Sequence, residues 1–291
     1  MNAKLQIHVN AQLGEGALWS ELNKKLYWVD IEGRTFNMFD PLALENRAFT
    51  TNKRVGTVVP IDSNNVLLAL EDGIATLNLI DGTIRYQIET DIHQSYNRRF
   101  NDGKCDPKGR FWVGTLSMDG IHEVSSLYCI GRDFAIEEKI TGVSISNGIV
   151  WSVDENFMYY IDTPTNKIVQ YDFDCHSGDI KNKKVSIEIP VDMGSPDGMT
   201  IDEEGMLWVA LWDGFGVVRC NPLTGKILQK INVPAPKVTS CAFGGENLNT
   251  LFITTASVEM SDEELEKYPL SGAIFAVDVK VKGLPARHFA L

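Results

Sequence analysis

Six short runs of β-branched and aromatic residues recur along the chain at nearly constant intervals. They are Leu26-Tyr27-Trp28-Val29, Val66–Leu70, Phe111-Trp112-Val113, Met158–Ile161, Leu207–Ala210 and Leu251–Thr254. Counted from Leu26, Leu67, Phe111, Met158, Leu207 and Leu251, they lie 41 to 49 residues apart. Such runs form strands, and each follows a turn-like stretch, such as Asp106–Arg110 or Asp202–Met206. A second hairpin comes after each, as in Ile168–Asp174, or Gly216–Gly225 with its Asn-Pro-Leu-Thr-Gly turn. Two hairpins make four strands, the blade of a propeller. The predicted fold class is therefore all-β, a six-bladed β-propeller with four-stranded blades, forming a single domain over residues 1–291. A two-domain sandwich does not predict six equal units, and a solenoid has shorter repeats. Leu5, Ile7 and Val9 alternate with polar residues ahead of the first unit. They are expected to close the ring as the outer strand of the last blade, beside Ala273–Val277, and so cover an exposed strand edge. Ser261–Lys267 is the one short helix expected, capped by Ser261.

Four segments, each just ahead of an aromatic run, open alike: Glu15-Gly16, Asn101-Asp102-Gly103, Asn147-Gly148 and Asp197-Gly198. Glu15, Asn101, Asn147 and Asp197 each stand four residues before an apolar position, at Trp19, Cys105, Trp151 and Ile201. The same count reaches Thr57 in the second unit and the neighbourhood of Ser240 and Cys241 in the sixth. In a propeller the first strand of each blade lines the central channel, so these residues would face one another at one mouth. Two carboxylates there repel and resist ionisation. A divalent cation cancels that repulsion, and Asn147 adds a neutral oxygen, leaving room for water and substrate. Arg99 can offer a fixed positive fork to substrate oxygens, and Asp102 can brace its loop. Taken singly, Asn-Gly and Asp-Gly pairs are ordinary turn formers; only their shared register argues otherwise. Trp19, Trp151 and Trp208 read as blade packing, and His122 as a surface residue.

Other chemistries find no support. There is no Gly-x-Ser-x-Gly elbow, no His-Glu-x-x-His helix and no glycine-rich phosphate loop. The five histidines share no metal-ligand spacing. A net charge of −12 without a basic cluster argues against nucleic acid or an anionic membrane as partner. The five cysteines form no Cys-x-x-Cys pair and read as free thiols of a reducing compartment. The first residues lack an apolar signal-peptide core, and no run approaches a membrane span. A cytoplasmic protein is expected, monomeric or weakly homo-oligomeric.

Several longer stretches resemble the SMP-30/gluconolactonase/luciferin-regenerating-enzyme-like family. They include Leu13-Gly14-Glu15-Gly16, Asn97–Arg110, Gly114-Thr115, Ile145–Gly148, Ser195–Met199, Leu207–Ala210, Thr239–Gly245 and Gly272–Phe275. Ala210–Gly216 and Lys267–Gly272 look most like the family's bacterial sugar lactonases. The resemblance implies a metal-dependent hydrolase that opens aldonolactones to aldonic acids. It implies Glu15, Asn147 and Asp197 as ligands of one divalent ion (Ca, Zn, Mn, Mg or Fe(II)), with Asp197 also the general base. Arg99 and Asn101 would bind the substrate, a small sugar lactone. An acidic residue in the loop after Gly114-Thr115 would hold sugar hydroxyls; an ungapped count gives Asp119, with Glu123 competing. The alternative is a non-catalytic cation- or ligand-binding propeller of the regucalcin type, and a third reading keeps the site but cleaves another ester.

Overall fold

The computed structural model describes residues 1–291. Its 24 strands form six four-stranded antiparallel sheets. Five are simple meanders in chain order, as the hairpin turns dictate; the sixth takes its outer strand from the other end of the chain. There Lys4–Ile7 pairs with Ile274–Asp278, Lys4 opposite Ala276 and Leu5 opposite Phe275. The innermost strands are Gly14–Ser20, Val55–Pro60, Arg98–Cys105, Ser146–Trp151, Ser195–Ile201 and Val238–Gly244, each against the next around the ring. The architecture is the six-bladed β-propeller read from the repeats.

The core is divided in the same way. Six buried apolar clusters occupy the six seams between neighbouring blades. Trp19 stacks on Phe252 across the seam that joins the sixth blade to the first. Trp112 meets Trp151 between the third and fourth blades. The alternation of each strand sends apolar residues to both faces because both faces are covered.

The register explains why the site motifs look alike. Trp19 pairs with Leu26, Cys105 with Phe111, Trp151 with Met158 and Ile201 with Leu207. Every innermost strand then slips its register a few residues earlier, between Glu15 and Leu18, Phe100 and Gly103, Ser146 and Ile149, and Pro196 and Met199. These are β-bulges, which re-aim side chains at the ends of strands. Asn147-Gly148 and Asp197-Gly198 are therefore bulged strand segments and not turns. Their glycines serve close approach: a Cβ on Gly148 would lie 2.7 Å from the Asp197 carbonyl oxygen, and one on Gly198 would lie 2.6 Å from the Ser240 hydroxyl.

The turns at the other end of the blades are held by buried aspartates. Asp202 is fully buried; it accepts from Glu204 N and Met206 N, from the Trp208 indole at 2.9 Å and from Arg219 Nε at 2.7 Å. Asp106 repeats the arrangement with Trp112 and Arg110. The C-terminal segment crosses this mouth: Gly283 N bonds to Leu248 O, Phe289 N to Pro60 O and Ala290 N to Gly109 O. At the opposite mouth, the long connection of the sixth blade carries the helix Asp262–Lys267, closed by a Ser261/Glu264 capping box as expected. That connection is tied to the first blade through Val258 N to Gln12 O and Ala11 N to Gly272 O. No helix is long and apolar enough to cross a membrane, and all five cysteines are unpaired.

Candidate functional site

Antiparallel pairing places the start of each innermost strand beside the end of the second strand. The bulges and the loops after the second strands therefore share one mouth of the channel. Glu15, Arg99, Asn101, Asp102, Asn147 and Asp197 are all buried there, none more than 6% exposed. Polar groups so buried need partners, and most of these have them. Asn101 donates from Nδ2 to Ser146 O (2.7 Å) and Asn147 Oδ1 (3.0 Å), and accepts from Arg99 Nη1 at 2.7 Å. Arg99 Nη1 also donates to Phe100 O at 3.0 Å. The Arg99 Nε and Nη2 edge makes no hydrogen bond to the protein, so half of the fork remains for an acceptor. Asn101 keeps only one lone pair for a ligand; its main work is to join Arg99 to Asn147.

Thr163 fixes Asn147. Its hydroxyl donates to Pro196 O at 2.8 Å and must therefore accept from Asn147 Nδ2, at 2.7 Å. The amide cannot flip, and Oδ1 is held on the Asn101 side with a lone pair to spare. The carboxyls of Glu15 and Asp197 are neighbours, close enough for each to alter the other's proton affinity. Glu15 Oε2 accepts from Gly16 N at 3.0 Å, whereas Asp197 Oδ1 is buried with no partner at all. Burial, and then the nearby Asp102 charge, push Glu15 up to about 8. Burial and the Glu15 charge raise Asp197 well above the usual carboxylate range. Asp102 is also raised by burial, with the Lys104 ammonium working the other way. Its Oδ1 accepts from Gly103 N at 2.8 Å, the bracing role expected of it. Lys104 closes the channel beneath, donating to Met199 O at 2.6 Å. Burial lowers Arg99 to about 10, opposed by the Glu32 and Glu15 charges.

This donor set suits a hard divalent cation. Two carboxyls are held together at a cost that a +2 charge removes, one of their oxygens is orphaned, and an oriented amide oxygen stands nearby. No three His, Cys, Asp or Glu side chains are arranged to hold one ion between them, so a ligand shell must draw on the Asn147 amide and on water.

The expected slot residues thus converge, with two corrections. Val59 stands opposite Leu67 and Phe243 opposite Leu251, eight positions on, against six or seven in the other blades. The longer turns shift the count, so strand pairing matches Val55 in the second blade, which packs into the seam beside the first blade, and Thr239 in the sixth, in place of Thr57 and of Ser240 or Cys241. Thr57 instead donates to Gly103 O, linking two innermost strands. Asp119 is exposed on the mouth loop of the third blade, where Oδ1 accepts from Asn97 Nδ2 at 2.8 Å. Glu123 is also exposed and sits toward the fourth blade, its N–H on Ser144 Oγ. His122 is on the surface. Sequence reasoning missed Thr163, Lys104 and the rim group in which Arg54 Nε holds both Glu32 oxygens (2.9 and 3.0 Å) and Nη1 reaches Glu71 at 3.5 Å. Glu71 and Thr163 immediately follow second strands, Glu32 comes two residues after one, and Arg54 immediately precedes a first strand. The repeat register marks those positions as mouth-lining.

Residues 13–257 match the model of the SMP-30/gluconolactonase/LRE-like region. The chain is 41% identical over 291 residues to a Bacillus subtilis (strain 168) protein named "Putative sugar lactone lactonase YvrE", covering all of this chain and 99% of that one. It is 38% identical to Danio rerio regucalcin, over 94% of this chain and 93% of the relative. Among solved structures, a luciferin-regenerating enzyme superposes with TM-score 0.90 at 30% identity, with 99% of each chain covered. A calcium-binding regucalcin from Agrobacterium tumefaciens superposes with TM-score 0.94 over 100% of this chain and 98% of that one; at 23% identity it speaks for the fold alone. The chain belongs to the SMP-30/gluconolactonase/LRE-like family.

Proposed function

We propose that the protein is a divalent-metal-dependent hydrolase that opens sugar lactones to the corresponding aldonic acids. The observation that carries this reading is the buried Glu15–Asp197 pair, with its orphaned Asp197 oxygen, beside an arginine whose outer edge is unspent. The lactonase name of a relative that aligns along the whole chain supports the substrate class. Glu15, Asn147 and Asp197 would hold the cation, which when bound draws electron density from the lactone carbonyl.

The rest is work for this chain's own side chains. Arg99 points its free edge at lactone oxygens, and Asn101 holds that guanidinium in place, which supplies orientation. Asp197 accepts a proton from the water that attacks the carbonyl carbon. The tetrahedral adduct then collapses: the carbon–ring-oxygen bond breaks, the ring oxygen takes the proton back from Asp197 and leaves as a hydroxyl, and the hydroxy acid is formed. Asp119, exposed in the mouth loop, would meet sugar hydroxyls.

A pH-indicator assay on glucono-, xylono-, galactono- and arabinolactones, run with a series of divalent metals, tests the reading. Acid release is expected with metal and is expected to stop on adding EDTA. Cation binding without acid release from any of these lactones would replace the enzyme by a non-catalytic binding propeller.

A further inference from the structure

Lys237 is the least explained side chain at the mouth. It immediately precedes the innermost strand of the sixth blade and is only 7% exposed. Its stem is packed away while Nζ keeps access to the mouth, so the ammonium is open to a ligand. Its nearest carboxylate oxygens, Asp213 Oδ1 and Glu259 Oε2, lie at 3.8 and 3.9 Å, beyond hydrogen-bonding distance. Both belong to exposed carboxylates, so neither binds it tightly. What fixes Lys237 is the Trp212 ring, with Nζ 4.2 Å from its centroid. Trp212 pairs with Ser195, two residues ahead of Asp197. Lys237 stands two residues ahead of Thr239, the slot residue of its own blade. At about 3.3 Å of rise per residue, both side chains sit roughly 7 Å above the acidic pair, on the side between Asp197 and Glu15. Arg99, two residues ahead of Asn101, holds the matching height on the third blade.

We propose that Lys237, braced on Trp212, is a specificity-determining residue: its unpaired donors take a hydroxyl oxygen on the part of the lactone remote from the reacting carbonyl. This rests on the lactonase reading. The ammonium is at hand to hold oxygens, and the indole beside it offers an apolar wall to the C–H face of a sugar. Together with Arg99 it grips a polyhydroxylated ring at two ends. A lactone without hydroxyls gains nothing from it.

The test compares D-glucono-1,5-lactone with δ-valerolactone, the same ring without hydroxyls, as a ratio of kcat/KM values. Lys237→Met is expected to lower the preference for the sugar lactone at least tenfold, mainly through KM. Glu259→Gln, which removes a neighbour but keeps the ammonium, is expected to hold the ratio within about twofold. An undiminished ratio in Lys237→Met, or an equal fall in Glu259→Gln, would overturn the proposal in favour of a clasp between the mouth loops. Thermal melts confirm that each variant is folded. If the native protein hydrolyses neither lactone, the lactonase reading fails separately. Lys237 is then judged by calorimetric titration with D-gluconate. A tenfold weaker affinity in Lys237→Met supports it; equal affinity, or no binding to the native protein, overturns it.

Discussion

At the scale of single residues, the site trades stability for chemistry. Asp197 is held against Glu15 with one oxygen unpartnered, a strained arrangement of the kind found at functional sites. Asp197→Asn removes one charge from the pair and turns an acceptor into a donor. We expect its kcat for lactone hydrolysis to fall by about 10²-fold or more, the scale of general-base loss. In EDTA its melting temperature should rise above that of the native protein. A steady-state assay and a thermal melt on the same preparation check both halves; near-native turnover would remove Asp197 from its role as base. Thr163 acts at one remove. Thr163→Val keeps the shape but frees the Asn147 amide to turn its nitrogen inward. Cation affinity should drop about 10- to 100-fold, as when a hydrogen bond that orients a ligand is lost. A competition titration against a fluorescent chelator reads that change, with the fold checked by circular dichroism.

At the scale of strands and turns, the repeated bulge delivers the site and the repeated aspartate turn pins the opposite end of the blade. Asp202→Ala would strand the Trp208 indole N–H and the Arg219 guanidinium against a void. A loss of about 3–5 kcal/mol is expected, the usual result of breaking one side of a buried pair. Urea denaturation followed by tryptophan fluorescence measures it, and activity at low temperature should survive. This level was also the most legible in the sequence. The aromatic strands, the capped helix at Ser261, the closing strand Lys4–Ile7 and the shared slot of Glu15, Asn101, Asn147 and Asp197 all follow from local pattern and a constant repeat. Thr57 was misplaced because hairpin length varies between blades, and a two-residue change in a turn moves the register without altering strand composition. Thr163, Lys104 and Lys237 were illegible for another reason. Their meaning depends on contacts between blades, such as Thr163 on Pro196 or Lys237 on Trp212, and no single-blade pattern records those.

At the scale of the whole molecule, a cation bound as proposed would link charge to ring closure. Glu15 and Asp197 bind a proton more tightly in the folded, metal-free chain than in the unfolded one. A raised carboxyl of this kind adds stability below about pH 4.5, where both states are protonated on folding's terms, and loses it as pH climbs through about 8. The chelated protein should therefore soften between those limits, while a saturating divalent cation replaces the lost protons. The rise in melting temperature on adding the cation should be larger at pH 8.5 than at pH 5.5, as scanning calorimetry with and without EDTA would read. A gain independent of pH would place the cation away from these two carboxyls.

The joining of Lys4 to Ala276 has a further consequence, for how the protein comes into being. Nearly the entire polypeptide must be made before its first strand finds its neighbour, and contacts so distant along a chain form slowly. Glu15 therefore waits, through most of synthesis, for the surroundings that give it a purpose. The assembled site should arrive late and all at once, with the last seam to seal.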